Sequence, residues 1–146
     1  MSFKNILQDV ELFNGLTSVE LVEISQICHE KKFKSDDTIA FQGEKGDDMY
    51  IITEGFVQVS IRQGAGERII VNLGAGQIFG EMALVDKGPR SATVKAISDP
   101  AVVQIIHAND FDQICTQNNH IGYVVMRNLA SDISFKLRHR NLSEAG

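Results

Sequence analysis

The sequence predicts a mainly β domain, an eight-stranded jelly-roll barrel flanked by helices, and three observations carry that prediction. Between positions 33 and 108, apolar residues recur with a period of two in short segments. Glycine-rich turns punctuate those segments at the close spacing of a sandwich or small barrel. Before and after that span, the apolar period becomes helical. With 146 residues, 43% of them hydrophobic, the chain suits a single domain that buries roughly two-thirds of its unfolded surface without disulfide or metal staples.

At the N-terminus, Ile6, Val10, Leu12 and Phe13 predict a short helix that packs on the domain and stops at Asn14-Gly15. Thr17-Ser18-Val19-Glu20 is a capping box, in which the threonine hydroxyl takes the amide three residues on and the glutamate reaches back. The helix it starts carries Leu21, Val22, Ile24 and Ile27, runs to Cys28 and fades over His29-Glu30-Lys31-Lys32. A helical lead-in is therefore expected over about 3–32.

Strands are expected over 38–41, 49–52, 57–61, 68–73, 93–97 and 101–106, within a barrel of about eight strands spanning 33–108. Gly43-Glu44-Lys45-Gly46, Glu54-Gly55, Gln63-Gly64-Ala65-Gly66 and Gly74-Ala75-Gly76 supply the turn chemistry between them. C-terminal helices are expected over 109–142. Asn109 is the expected cap of the first, which carries Phe111, Ile114 and Cys115, and Thr116-Gln117-Asn118-Asn119 breaks it from a longer one. The long helix bears a stripe stepping by four, Ile121, Val125, Leu129, Ile133 and Leu137, widened by Val124, Met126 and Phe135. So apolar a helix packs on the barrel, on a twin in a dimer, or on both.

Composition excludes several classes. Cys28 and Cys115 form no C-x-x-C or metal spacing and are expected as reduced core thiols in helical contexts. No stretch approaches the ~20 apolar residues of a membrane span, and the first residues lack a signal-peptide core. A soluble, cytoplasmic protein without membrane contact is expected. The net charge of −5 argues against a broad nucleic-acid surface.

The chemistry concentrates in 76–94. Gly80 lets the backbone approach a ligand, and Glu81-Met82-Ala83-Leu84 forms one short helical turn whose first amides point outward as donors and favour a phosphate. Arg90 returns after a loop set by Gly88 and Pro89, and its planar fork matches two phosphate oxygens. Ser91 adds a hydroxyl. Glu81 is repelled by a phosphate unless it faces a donor, and a sugar hydroxyl beside that phosphate is one. The plainer alternative makes Gly80 and Pro89 turn residues and Glu81 with Arg90 a surface ion pair.

Phe79-Gly80-Glu81-Met82-Ala83-Leu84 followed by Pro89-Arg90-Ser91-Ala92 resembles the phosphate-binding cassette, here 79–92, of the cyclic-nucleotide-binding domain family, as found in catabolite activators and kinase regulatory subunits. It departs in having Met82 where leucine or isoleucine is commoner. The resemblance implies that the amides of Gly80, Met82 and Ala83 and the Arg90 guanidinium hold a cyclic phosphate, and that Glu81 accepts from the ribose 2′-hydroxyl. The implied ligand is a cyclic purine mononucleotide, with no metal. Ser91 reads two ways in the family, toward the guanine amino group of cGMP or toward the phosphate of cAMP, and the short, bacterial-looking chain favours cAMP. Ile70 and Val71, on the strand before the cassette, are expected on the base side. Gly46-Asp47-Asp48-Met49-Tyr50-Ile51-Ile52 and Gly55 resemble a second family motif, expected to shape the barrel rather than touch ligand.

By the same resemblance the long C-terminal helix is a homodimer seam and closes over the base, which brings Lys136, Arg140 and Asn141 near it. No helix-turn-helix follows that helix, so direct DNA binding is not expected, and the Met1 start favours a stand-alone sensor acting through an unknown protein effector over a fragment. Two readings compete. A metal-dependent jelly-roll enzyme needs clustered ligands, whereas His29, His107, His120 and His139 form neither H-x-H nor H-E-x-x-H. A structural interaction domain with a vestigial pocket has no need of Glu81 and Arg90 beside one turn. The basic run Lys136-Leu137-Arg138-His139-Arg140 is read as complementing a helix C-terminus, with a small acidic-partner or nucleic-acid patch as the alternative.

Overall fold

The computed structural model describes residues 3–145 and the side chains of residues 3–139. Arg140 and Asn141, expected near the base, have side chains outside the described residues. Two helices lead in, α1 (Phe3–Asp9) and α2 (Ser18–Gln26), with a 3₁₀ turn, Glu11–Phe13, between them. Eight strands follow: β1 (Cys28–Phe33), β2 (Thr38–Ala40), β3 (Asp48–Glu54), β4 (Val57–Gln63), β5 (Gly66–Leu73), β6 (Ile78–Phe79), β7 (Thr93–Ala96) and β8 (Ala101–His107). Helices α3 (Ala108–Gln117) and α4 (Asn119–Ala145) close the chain.

The strands form two four-stranded sheets, in the orders β1-β8-β3-β6 and β2-β7-β4-β5, with every pairing antiparallel. Two apolar clusters lie against the first sheet. Tyr50, Ile52 and Val103 face the barrel interior with Val57, Phe79 and Val94. Met49, Ile51 and Ile106 face the opposite way and meet Leu7, Ile24, Phe111, Ile121, Val125 and Leu129 of the helices. Strand β3 is thus buried on both faces, which explains its unbroken apolar run Met49-Tyr50-Ile51-Ile52 where a one-sided strand alternates.

Local chemistry sets the helix ends. The Thr17 hydroxyl accepts from the Glu20 amide at 3.2 Å, and a Glu20 carboxylate oxygen accepts from the Thr17 amide at 2.9 Å, so the expected capping box is present. The other Glu20 oxygen accepts from Asn118 at 3.0 Å and from His120 at 2.8 Å, tying α2 to the joint between α3 and α4.

Three expectations are corrected. Helix α2 ends at Gln26, and residues 28–33 are strand, so the helical lead-in stops short of 32 and Cys28 opens β1. Asn109 does not cap α3; His107 holds that position without a side-chain capping bond, and the Asn109 side-chain oxygen Oδ1 accepts from Lys87 of the cassette loop. The long stripe of α4 divides. Ile121, Val125 and Leu129 are buried, whereas Ile133 and Leu137 are exposed. A step of four overshoots the 3.6-residue turn by about 40°, so the stripe rotates off the body within a few turns.

Candidate functional site

The cassette starts where β6 leaves the barrel. Phe79 is buried with its ring stacked on that of Tyr50, centroids 4.7 Å apart and 11° from parallel. Gly80 then takes the left-handed conformation, φ 75°, which turns the chain into the 3₁₀ helix Glu81–Leu84. Glycine adopts that conformation without the steric cost a Cβ carries. The turn is fastened from below, because Ala83 and Leu84 are buried and Leu84 belongs to the cluster that holds Phe111 of α3.

Winding as 3₁₀ alters one expected donor. The Ala83 amide donates to the Gly80 carbonyl at 3.1 Å, the i→i+3 closure of such a turn, so it is engaged within the turn. Only amides earlier in the turn precede that closure. Met82 is exposed on the outer side.

Arg90 arrives on a backbone held at both groups. Its amide donates to the Glu44 carbonyl at 2.6 Å, its carbonyl accepts from the Gly43 amide at 2.8 Å, and the Gly46 amide donates to the Gly88 carbonyl at 2.9 Å. An isolated bridge pairs Lys45 with Pro89. The Arg90 side chain then runs between two glycines. A Cβ on Gly80 would meet Nη1 at 2.6 Å, and one on Gly46 would meet Cδ, Nε and Cζ at 3.1 Å. Its guanidinium carbon lies 5.5 Å from the Tyr50 ring centroid. Burial pushes the Tyr50 phenol up; the charge of Arg90 pulls the other way, and Asp48 adds to the rise.

Glu81 and Arg90 share the neighbourhood of Gly80, yet among the described residues no ion pair joins them. The ion pair of the plainer alternative is therefore not formed. Glu81 instead lines a cavity of about 810 Å³ between the turn after β5, the N-terminal 3₁₀ segment and α4, and no other residue of 79–92 lines it. From α4, Asp132, Phe135 and Lys136 face this space. Lys136 donates to Asp132 at 2.9 Å, and its ammonium is held above the ordinary value chiefly by that bond; burial opposes, and the charges of Asp132 and Glu81 add to the rise.

Ser91 is exposed and Ala92 half-buried at the entry to β7. Val71 pairs with Val59, which packs on the barrel cluster, and Ser60 pairs with Ile69. Ile70 is the extra residue between those pairs, so β5 bulges there. Neighbours on a regular strand point to opposite faces, and a bulge is what allows two consecutive side chains to share one. Both Ile70 and Val71 are exposed.

The histidines disperse. His107 bonds Asp48, with the His29 ring 5.4 Å away, His120 bonds Glu20, and His139 sits against the Phe135 carbonyl. Among the described residues no group of side chains has the makings of a metal site, and no helix is long and apolar enough to cross a membrane. Cys28 and Cys115 are free thiols, pushed up to about 12 and about 11, in both cases chiefly by burial. Gly46 and Tyr50 are the neighbours of Arg90 that sequence reasoning missed. Their signal was the run 46–52, read as barrel-shaping alone.

Residues 30–118 match the family model of the cyclic nucleotide-binding domain. A cAMP-dependent protein kinase regulatory subunit of Mycosarcoma maydis is 33% identical over 106 residues, 71% of this chain, and the match spans only 20% of that subunit's length. The catabolite activator protein of Thermus thermophilus superposes with a TM-score of 0.81 at 27% identity, covering 92% of this chain and 62% of that one. The regulatory domain of Toxoplasma gondii PKA, solved with cAMP, gives 0.77 at 26% identity over 92% of this chain and 49% of its own. With the left-handed glycine, the 3₁₀ turn and the returning arginine in place, the chain belongs to the cyclic nucleotide-binding domain family.

Proposed function

We propose that this protein is a cytoplasmic cyclic-nucleotide sensor, a regulatory binding module rather than a catalyst, which takes cAMP in preference to cGMP and signals through a protein effector. The observation that carries the reading is Arg90 held beside the left-handed Gly80, with Glu81 on the turn that Gly80 opens. In this reading Arg90 and the early amides of the turn hold the cyclic phosphate, with Met82 among them, and Glu81 accepts from the ribose 2′-hydroxyl. Val71, and Ile70 from its bulge, border the base. Ser91 stands next to the phosphate. The cAMP preference is supported by the kinase regulatory subunit and the Toxoplasma domain, whose names carry that nucleotide.

Helix α4 is the moving part of the proposal. Its first half is anchored by Ile121, Val125 and Leu129, whereas residues 130–139 are exposed and Ser131, Asp132, Phe135 and Lys136 among them line the cavity at Glu81. Bound nucleotide draws Phe135 and Lys136 toward that cavity to the extent that it favours the closed arrangement. On the other side, Met126, Ala130, Ile133 and Leu137 step by four, three and four, the spacing of a two-helix seam, which supports a homodimer through α4. DNA contact is assigned to no part of this chain.

Calorimetric titration with cAMP and cGMP tests the reading, using wild type, Arg90→Ala and Ser91→Ala. Binding that is lost with Arg90 supports the sensor, and the Ser91 variant ranks the two bases. Well-folded protein that binds neither nucleotide shifts the assignment to an interaction domain with a vestigial pocket.

A further inference from the structure

The run from Gly46 to Tyr50 has the pairing expected of a turn entering β3, but its side-chain neighbour is the cassette. Arg90 lies in a slot with three walls. The bare backbones of Gly46 and Gly80 form two of them, close enough that a methyl group on either would press on the guanidinium or its stem. The ring of Tyr50 forms the third, 5.5 Å from the guanidinium carbon, an arrangement in which a cation is attracted to the ring face. Tyr50 is itself fixed, buried at 7% exposure and stacked on Phe79, the residue that opens the cassette.

An arginine on a surface loop samples many rotamers and loses that freedom when it binds a phosphate. Here the main chain on either side of Arg90 is paired with residues 43–46, and the protein's own backbone bounds the side chain. We infer that Tyr50, with Gly46, is a positioning residue for phosphate recognition: it holds the Arg90 fork in its binding orientation. The second motif thus belongs to the anion site through Arg90 without touching the ligand. The inference rests on the proposed nucleotide reading for its consequence, but the holding of Arg90 is measurable without any nucleotide.

The experiment has two arms on the full chain. In ligand-free protein, the Arg90 Nε–Hε group is assigned by Arg90→Lys and its order parameter is measured by NMR in wild type, Tyr50→Phe and Tyr50→Leu. Wild type and Tyr50→Phe keep it ordered, and Tyr50→Leu releases it. Equal order in Tyr50→Leu and wild type, or release in Tyr50→Phe equal to that in Tyr50→Leu, overturns the inference. In the second arm cAMP is titrated into the same variants. Tyr50→Leu weakens binding about tenfold, Tyr50→Phe stays within about threefold, and Tyr50→Leu adds nothing once Arg90 is alanine. Losses that simply add would make Tyr50 a barrel residue only and overturn the inference. Wild-type protein that binds no nucleotide defeats the proposed function, and the first arm still decides whether Tyr50 holds Arg90.

Discussion

Glu20 of α2 and His120 of α4 are a hundred residues apart in the chain and 2.8 Å apart in the fold. The same carboxylate caps its own helix at Thr17 and accepts from Asn118, the residue between α3 and α4. One buried side chain therefore finishes a helix and fastens the joint between α3 and α4. Burial pushes its carboxyl up, but the bonds from Thr17, His120 and Asn118, with the charge of His120, outweigh that and hold it below its ordinary value of 4.5.

Stability should report this directly. A carboxyl whose folded value is depressed contributes stability that is fully present above its unfolded value and is lost as pH falls through the folded one. Glu20→Gln is expected to destabilise by about 1–3 kcal/mol at pH 7. Denaturant unfolding at a series of pH values checks it, and the gap between wild type and variant should shrink below pH 4.5. A gap that does not change with pH would remove the charge from this account.

Arg90→Ala should weaken cAMP binding by about 2–5 kcal/mol, because the phosphate loses its one fixed guanidinium in a partly dry site. Arg90→Lys should recover only part of this, since an ammonium offers no planar fork. Calorimetry and the melting temperature separate affinity from folding, and an Arg90→Ala protein that binds within a few-fold of wild type would dissolve the site.

Glu81 is testable through the sugar rather than the phosphate. Wild type should prefer cAMP to its 2′-deoxy analogue by about 1.5–3 kcal/mol, the range of a hydrogen bond to a charged group. Glu81→Ala should bind both nucleotides equally. Retained discrimination in that variant would place the 2′-hydroxyl elsewhere.

Gly80→Ala combines two faults, a strained φ of 75° and a Cβ 2.6 Å from Arg90 Nη1. Nucleotide affinity should fall by at least tenfold, with a stability loss on the order of 1–2 kcal/mol. Titration and chemical denaturation give the two numbers separately.

The two halves of α4 should respond differently to substitution. Ile121→Ala removes a fully buried side chain from the helical cluster and should cost about 2–5 kcal/mol of folding stability. Ile133→Asp with Leu137→Asp alters exposed positions and should leave the monomer's stability within about 1 kcal/mol, while abolishing the proposed dimer in light scattering.

The elements legible in the sequence were those whose signal is local. Thr17 and Glu20 spell their capping box within four residues, and Gly80 with Glu81 announces a turn at a strand end. Strand β1 was not legible because it is an edge strand whose residues, His29 to Lys32, are all exposed. It has no apolar alternation, and only its pairing with β8 makes it a strand. Asn109 has the chemistry of a cap, but Lys87 takes its side chain from 22 residues away. The neighbours of Arg90 were hidden for the same reason. Tyr50 and Gly46 stand about forty residues upstream, and nothing in local periodicity links a hairpin glycine to a cassette arginine.

Strand β3 separates two clusters by a single pleat, with Tyr50 and Ile52 on one side and Met49 and Ile51 on the other. A barrel that loosened around its ligand side would strip one face of the same backbone that carries the helices on its other face. The helical layer is therefore expected to melt together with the barrel, and amide exchange along β3 should proceed only through global unfolding. A shift of that strand under Tyr50 is delivered within one residue to Ile51, so the side that carries Arg90 and the seat of α4 share a single mechanical member.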